Sequence, residues 1–162
     1  MEIQYTISEN DYVKSNKLAS VATKKQLIWL GAAGFGLLLL GVFGQGSLKG
    51  MGYFGLACGI LGYFITLHLV TPWQAKRFYR NYKSIQAPLK IAMVDGGFTI
   101  SAENGQSNVK WENLLKWRED KNYILIFFAP KLFYLIPKRI AKLGFDTEGL
   151  KRLLRENLGD PI

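Results

Sequence analysis

Two apolar runs, residues 27–43 and 51–70, constrain this chain more than anything else in it. Neither contains Asp, Glu, Lys or Arg. At about 1.5 Å of rise per residue they make roughly 26 Å and 30 Å of helix, close to a hydrocarbon layer of about 30 Å. A charge at mid-bilayer costs about 2.5–3.5 kcal/mol on insertion scales, so its absence from both runs is informative. The pattern predicts a transmembrane helical hairpin over 27–70, with residues 44–50 as its connecting loop.

Glycines in the two runs are spaced like one helical face. Gly52, Gly55, Gly59 and Gly62 recur at three or four residues, and Gly31, Gly34, Leu38 and Gly41 repeat that spacing. In an antiparallel hairpin, residues at equal depth have numbers with a constant sum. Gly31 then meets Gly62, Gly34 meets Gly59, Leu38 sits as a knob over Gly55, and Gly41 meets Gly52. Lipid tails remove the hydrophobic drive for helix association, so close backbone approach must supply it. A homodimer face through Gly55 and Gly59 uses the same residues. Glycine is also simply common in membrane helices.

Charge is uneven along the 162 residues, whose formal net charge is +9. Lys14, Lys17, Lys24 and Lys25 precede the first run, and Lys76, Arg77, Arg80 and Lys83 follow the second. The loop holds only Lys49. The positive-inside rule then predicts two cytoplasmic termini and an external loop. The first run reads as a retained anchor rather than a secretory signal, because acidic residues precede it and no A-x-A site follows. The single Cys58 excludes a disulfide framework, and zinc sites need several ligands. His68, the only histidine, is an intramembrane ionisable residue and so a functional candidate. It has no acidic partner in either run, which favours a neutral, hydrogen-bonded role.

Residues 1–26 form a lead segment. Ile3, Tyr5 and Ile7 alternate with polar residues, and Ser8 with Asp11 three residues later marks a helix start. The predicted helix runs from about Glu9 through Leu18, Val21 and Ala22 into the first span. So short a strand needs a sheet to join, and the only other sheet material lies beyond residue 87. It is therefore expected to dock on the C-terminal domain. Segment 71–86 interleaves Trp73, Lys76, Arg77, Tyr79, Arg80 and Lys83 with no acid. Beside a span this reads as an interfacial segment touching lipid headgroups rather than nucleic acid. Plain topology determination accounts for it without a specific lipid site.

Residues 87–162 change period. Leu89, Ile91 and Met93, then Phe98, Ile100 and Ala102, alternate with other residues. Asp95-Gly96-Gly97, Asn104-Gly105, Asp120-Lys121-Asn122 and Ala129-Pro130-Lys131 punctuate the strands. Asp146 suits a helix N-cap, Leu150, Leu153, Leu154 and Leu158 share one face, and Gly159 is a natural stop. The fold class is an α+β membrane protein, a two-helix hairpin followed by an antiparallel β domain with a C-terminal helix.

Gly97-Phe98-Thr99-Ile100, Val109-Lys110-Trp111-Glu112-Asn113-Leu114, Asp120-Lys121-Asn122-Tyr123-Ile124-Leu125 and Ile136-Pro137-Lys138-Arg139, set after two spans, resemble the YcxB-like bacterial membrane proteins. The resemblance implies a cytoplasmic domain similar to a pleckstrin-homology barrel, at the inner membrane. It supplies no catalytic residues.

The carboxylates fall mainly at turns, helix starts or exposed strand positions, with no histidine beside them. No spacing matches a metal, cofactor or acid–base site. Lys131, Lys138, Arg139 and Lys142 form the best candidate interaction patch, with a solvated strand end as the plain alternative. Trp111, Trp117 and Tyr123 are core residues or an aromatic binding surface. The expected function is non-enzymatic: a multi-pass protein presenting a small cytoplasmic domain to an unidentified protein partner or to lipid headgroups. Homo-oligomerisation is compatible with the glycine faces. The alternative is an inhibitor or immunity-type protein acting on a membrane-associated partner. A membrane enzyme would need paired polar residues near the bilayer surface.

Overall fold

The alternation at the N-terminus produces a strand, β1 (Glu2–Tyr5), whose partner lies far along the chain. It pairs antiparallel with β2 (Leu89–Val94), Ile3 opposite Ile91 and Tyr5 opposite Leu89. The computed structural model describes residues 2–103 and 105–162. Strand β3 (Gly97–Ala102) pairs with β2 and with β4 (Gly105–Lys110), giving a sheet of order β1-β2-β3-β4. The β2–β3 turn needs its glycine, since Gly96 has φ +80°. The expected Asn104-Gly105 turn falls partly on Asn104, outside the described residues. Gly105 itself is already paired with Ala102.

A second antiparallel sheet contains β5 (Lys116–Glu119), β6 (Tyr123–Ala129) and β7 (Leu132–Pro137). Tyr123 through Phe127 are all buried, the mark of a strand covered on both faces. Trp111, Trp117 and Tyr123 are buried with Phe98, Ile91 and Ile136, so they pack the core and are not a binding surface. Helix α5 (Thr147–Leu158) is capped by Asp146, which accepts from the Gly149 N–H, and buries Leu150 and Leu154.

Four helices precede or interrupt the sheets. Helix α1 (Glu9–Ser20) starts with Ser8 and Asp11 in a reciprocal capping box. Contrary to the expectation from its periodicity, it does not continue through Val21 and Ala22 into the first apolar run. Val21 is extended, and Thr23 with Gln26 makes a second capping box for α2 (Lys24–Phe43). The connection after α2 is shorter than expected, because α3 (Ser47–Ile65) takes residues 47–50 into its first turn. Pro72 does not interrupt the helix that follows α3. A π-helical turn, Thr66–Val70, leads directly into α4 (Thr71–Asn81), making one continuous helix, Ser47–Asn81. Proline lacks an N–H and crowds the carbonyl four residues back, and one widened turn accommodates both faults.

Helices α2 and α3 are each long and apolar enough to cross a membrane, and their apolar side chains face outward nearly all round. They meet most closely at the connected end. A methyl placed on Gly52 would collide with the backbone of Gly41 and lie 2.7 Å from the Leu37 carbonyl oxygen. The knob over Gly55 is Leu37, at 3.3 Å from such a methyl, rather than Leu38. Leu56 approaches Gly34 at 3.5 Å, whereas a methyl on Gly31, Gly59 or Gly62 would meet nothing within 4 Å. The paired stripes therefore hold at Gly41 and Gly52 and part towards the other end. There an apolar groove of about 410 Å³, lined by Gly31, Gly34, Gly55 and Gly59 among others, separates the helices.

Candidate functional site

Two hydrogen-bonded anchors and one shared cavity relate the sheets to the helices, and they follow the same order along both. At the start of α1, the buried Asp11 carboxylate accepts from the Tyr123 hydroxyl at 3.0 Å and from both Arg139 terminal nitrogens at 2.8 and 2.7 Å. At the end of α1, the buried Arg118 donates to the Leu18 and Val21 carbonyls at 2.6 and 2.8 Å. At the start of α2, Lys116 shares a cavity of about 420 Å³ with Thr23, Lys24, Lys25, Pro161 and Ile162. Arg118 and Lys116 lie opposite Leu125 and Phe127 of β6. Strand β6 thus descends beside α1 towards the helical hairpin. This gives the domain a near end, at β5's start and the β6–β7 turn, and a far end at Asp11 and Tyr123.

Helix α4 rises on the opposite course. At its base, Lys17 of α1 donates to His68 Nδ1 at 3.2 Å, and His68 stacks on Phe64 with ring centroids 4.3 Å apart. An ammonium group can only donate, so Nδ1 is the acceptor. This is the hydrogen-bonded role expected for His68, supplied by a lysine. Tyr63 accepts from the Ala22 N–H at 3.4 Å in the same junction. At the top of α4, the Tyr79 hydroxyl donates to the Ile7 carbonyl at 2.8 Å, and Arg80 forms two bonds with Glu9 at 3.1 and 3.2 Å. Tyr12 and Tyr79 pack ring against ring.

The six residues of the basic aromatic segment are thereby split. Trp73, Lys76 and Arg77 lie on the lower half of α4, exposed, with Arg77 over the Trp73 ring at 5.6 Å. Tyr79 and Arg80 are turned to α1, and Lys83 lies beyond the helix in the short 3₁₀ turn Lys83–Ile85. The reason is periodicity: α4 is amphipathic and lays its Ala75 and Tyr79 side along α1.

Of the four residues of the expected basic patch, Lys138, Arg139 and Lys142 share one 3₁₀ segment, Lys131 lies elsewhere, and two of the three are held by carboxylates. Arg139 is held by Asp11 and by the Thr6 carbonyl at 2.9 Å, and Lys138 bonds Glu119 at 2.7 Å. Both serve the far end. Lys131 lies in the β6–β7 turn at the other end of that hairpin, since Tyr123 pairs with Pro137 and Ala129 with Leu132. Lys142 is exposed in the 3₁₀ segment Lys138–Leu143. Asp11, Glu119 and Arg118 are the organising charges that sequence reasoning passed over. Only Asp11 left a visible trace, as the third residue of a capping box.

Environment follows from these contacts. Burial alone would raise the Asp11 carboxyl, but the bonds from Arg139, Ser8 and Tyr123 outweigh it and hold it well below the usual carboxylate range. Burial, then Asp11, push the Tyr123 phenol up to about 12. Burial pulls the Arg118 guanidinium down from its ordinary value, and its Nε has no hydrogen-bond partner among the described residues. The far end is therefore a closed, internally satisfied network. The near end is different. Among the described residues, Lys24, Lys25, Lys116 and Lys131 make no ion pair, and Leu115, Phe128 and Leu132 stand exposed at the same end of the sheet.

Residues 95–155, from the β2–β3 turn into α5, match the family model described as YcxB-like protein. The matched segment contains the four motifs that carry the resemblance. No curated protein and no solved structure matches the chain.

Proposed function

We propose, from the YcxB-like match over residues 95–155, that this is a non-enzymatic, multi-pass membrane protein. Its hairpin holds a small cytoplasmic domain at the inner-membrane surface for contact with a protein or with lipid headgroups. The observation that carries this reading is the outward apolar surface of α2 and α3. Leu27, Ile28 and Trp29 on one helix, and Phe54, Ile60 and Leu61 on the other, are mostly exposed. Two adjacent helices apolar all round are stable in lipid and a liability in water.

The lysines at the base of α1 and α2 and the cations on the lower half of α4 support a cytoplasmic assignment for the sheets by the positive-inside rule. Four strands in one sheet, three in another and a terminal helix support the pleckstrin-like description. Such a fold does not by itself dictate a ligand. Photo-crosslinkers placed on the exposed domain surface in cells, with the captured species identified, test the proposal. Specific capture of a protein or of phospholipid from domain positions is expected. Extraction of the unlabelled protein from membranes by alkaline carbonate would falsify the membrane assignment.

A further inference from the structure

The near end of the domain carries three exposed apolar side chains in a polar environment. Leu115 is 58% exposed, Leu132 57% and Phe128 39%. They come from three strand ends that the register brings together: the Leu115 N–H donates to the Phe127 carbonyl, and Ala129 pairs with Leu132. Cations lie at the same end of the sheet, Lys116 on the face opposite to Leu115 and Phe128. Lys131 sits in the turn itself, and Lys116 opens β5 with its ammonium 5.2 Å from the Phe127 ring centroid. Lys116 also lines a cavity of about 420 Å³ together with Lys24 and Lys25 of the first turn of α2.

Depth follows from the anchors already described. From Tyr123 to Phe128, β6 advances about 16 Å. From Asp11 to Ser20, α1 advances about 14 Å. The two start together at Asp11, so the β6–β7 turn arrives level with the start of α2. In the proposed reading, that is the level of the headgroups. A sheet end with apolar side chains on one face and unpaired lysines in its turn and on the other face matches an anionic leaflet: the lysines meet phosphate, and the apolar tips enter the acyl boundary.

We infer that the near end, Leu115, Phe128 and Leu132 with Lys24, Lys25, Lys116 and Lys131, is a docking surface for anionic phospholipid headgroups. It holds the domain end-on against the leaflet that the hairpin crosses. The inference rests on the membrane reading above. It moves the lipid contact away from Lys138 and Arg139, which the far-end network occupies.

The test uses the full chain in vesicles of phosphatidylcholine alone or with phosphatidylglycerol, in a Cys58→Ala background. A single thiol-linked fluorophore is placed by Pro130→Cys in the near turn or by Lys121→Cys in the far turn of the same sheet. With phosphatidylglycerol, the probe at 130 is shielded from acrylamide and quenched by headgroup nitroxide, and the probe at 121 behaves oppositely. Neutralising one lysine, as in Lys116→Gln, lowers the docked-to-free ratio about fivefold, in keeping with the surface attraction of a single cation. Lys116→Glu with Lys131→Glu abolishes shielding at 130 while leaving the protein carbonate-resistant. Equal accessibility of the two probes, or shielding that ignores phosphatidylglycerol or the double reversal, overturns the inference but not the membrane reading. Loss of the unmodified protein to carbonate overturns both.

Discussion

Asp11 closes the first turn of α1 and, with the same carboxylate, takes two hydrogen bonds from Arg139 and one from Tyr123. Replacing it by alanine removes an N-terminal cap partner and strands a half-exposed guanidinium. The expected cost is about 2–3 kcal/mol, read from denaturation in detergent. The pH dependence has a definite sign. The folded carboxyl titrates below its unfolded counterpart, so its stabilisation is complete above the ordinary aspartate value of about 3.9 and is lost as pH falls through that value towards the folded one. Asp11→Asn should flatten the acid limb of a melting-temperature profile. Tyr123 acts at the other extreme, where stability declines as pH rises from 10.0 towards about 12. Neither role was visible locally. A capping motif is readable because its partners are three residues apart, whereas Arg139 is separated from Asp11 by almost the whole chain. Lys138 and Arg139 looked like a free patch because sequence shows charge but not the carboxylate that folding brings to it.

At the scale of elements, the hairpin is tight at one end and open at the other. Gly52→Leu should separate α2 from α3, because no side chain fits against the Gly41 backbone and the Leu37 carbonyl. Gly59→Leu should be tolerated, since it points into the apolar groove. In a Cys58→Ala background, disulfide trapping of a cysteine pair at 37 and 55 is expected to be efficient and at 31 and 62 poor, and Gly52→Leu should abolish the former. The glycine spacing revealed the facing stripes but not their divergence, because periodicity fixes a face and says nothing of distance along it. The same limit explains Leu37 in place of Leu38: neighbouring residues point about 100° apart, and a small rotation of the helix exchanges them. Pro72 lies inside the continuous helix Ser47–Asn81. Proline ends most helices, but a π-turn absorbs it here, and α4 stays docked through Tyr79 and Arg80. Pro72→Ala should restore regular α geometry and turn α4 by about one residue relative to α3. Faster amide exchange at Ser8–Tyr12 would report the loss of its contacts.

For the molecule as a whole, the N-terminal strand is the link that sequence predicted and the structure supplies. Its alternation was legible because a buried edge of a sheet imposes period two, and its isolation demanded a distant partner. Deleting residues 2–7 is expected to raise amide exchange throughout β2 and at Tyr123, because β2 loses a neighbour and Tyr5 no longer reaches the Leu135 carbonyl. Unchanged exchange in β2 would show that the strand is dispensable. The near-end surface was less legible, since Leu115, Phe128 and Leu132 are far apart in sequence and read as ordinary strand residues until their register is known. The pairing of Tyr5 with Leu89 has one more consequence, and it concerns parity. Hydrogen bonds do not reach through a bilayer, so a chain that closes this sheet traverses any bilayer an even number of times between those two residues. A copy threaded with an odd count is left with the β2 edge bare. Synthesis makes β1 first and β2 only after both apolar helices, so in the proposed membrane reading the β1 edge can close only on a hairpin that has returned to its starting side.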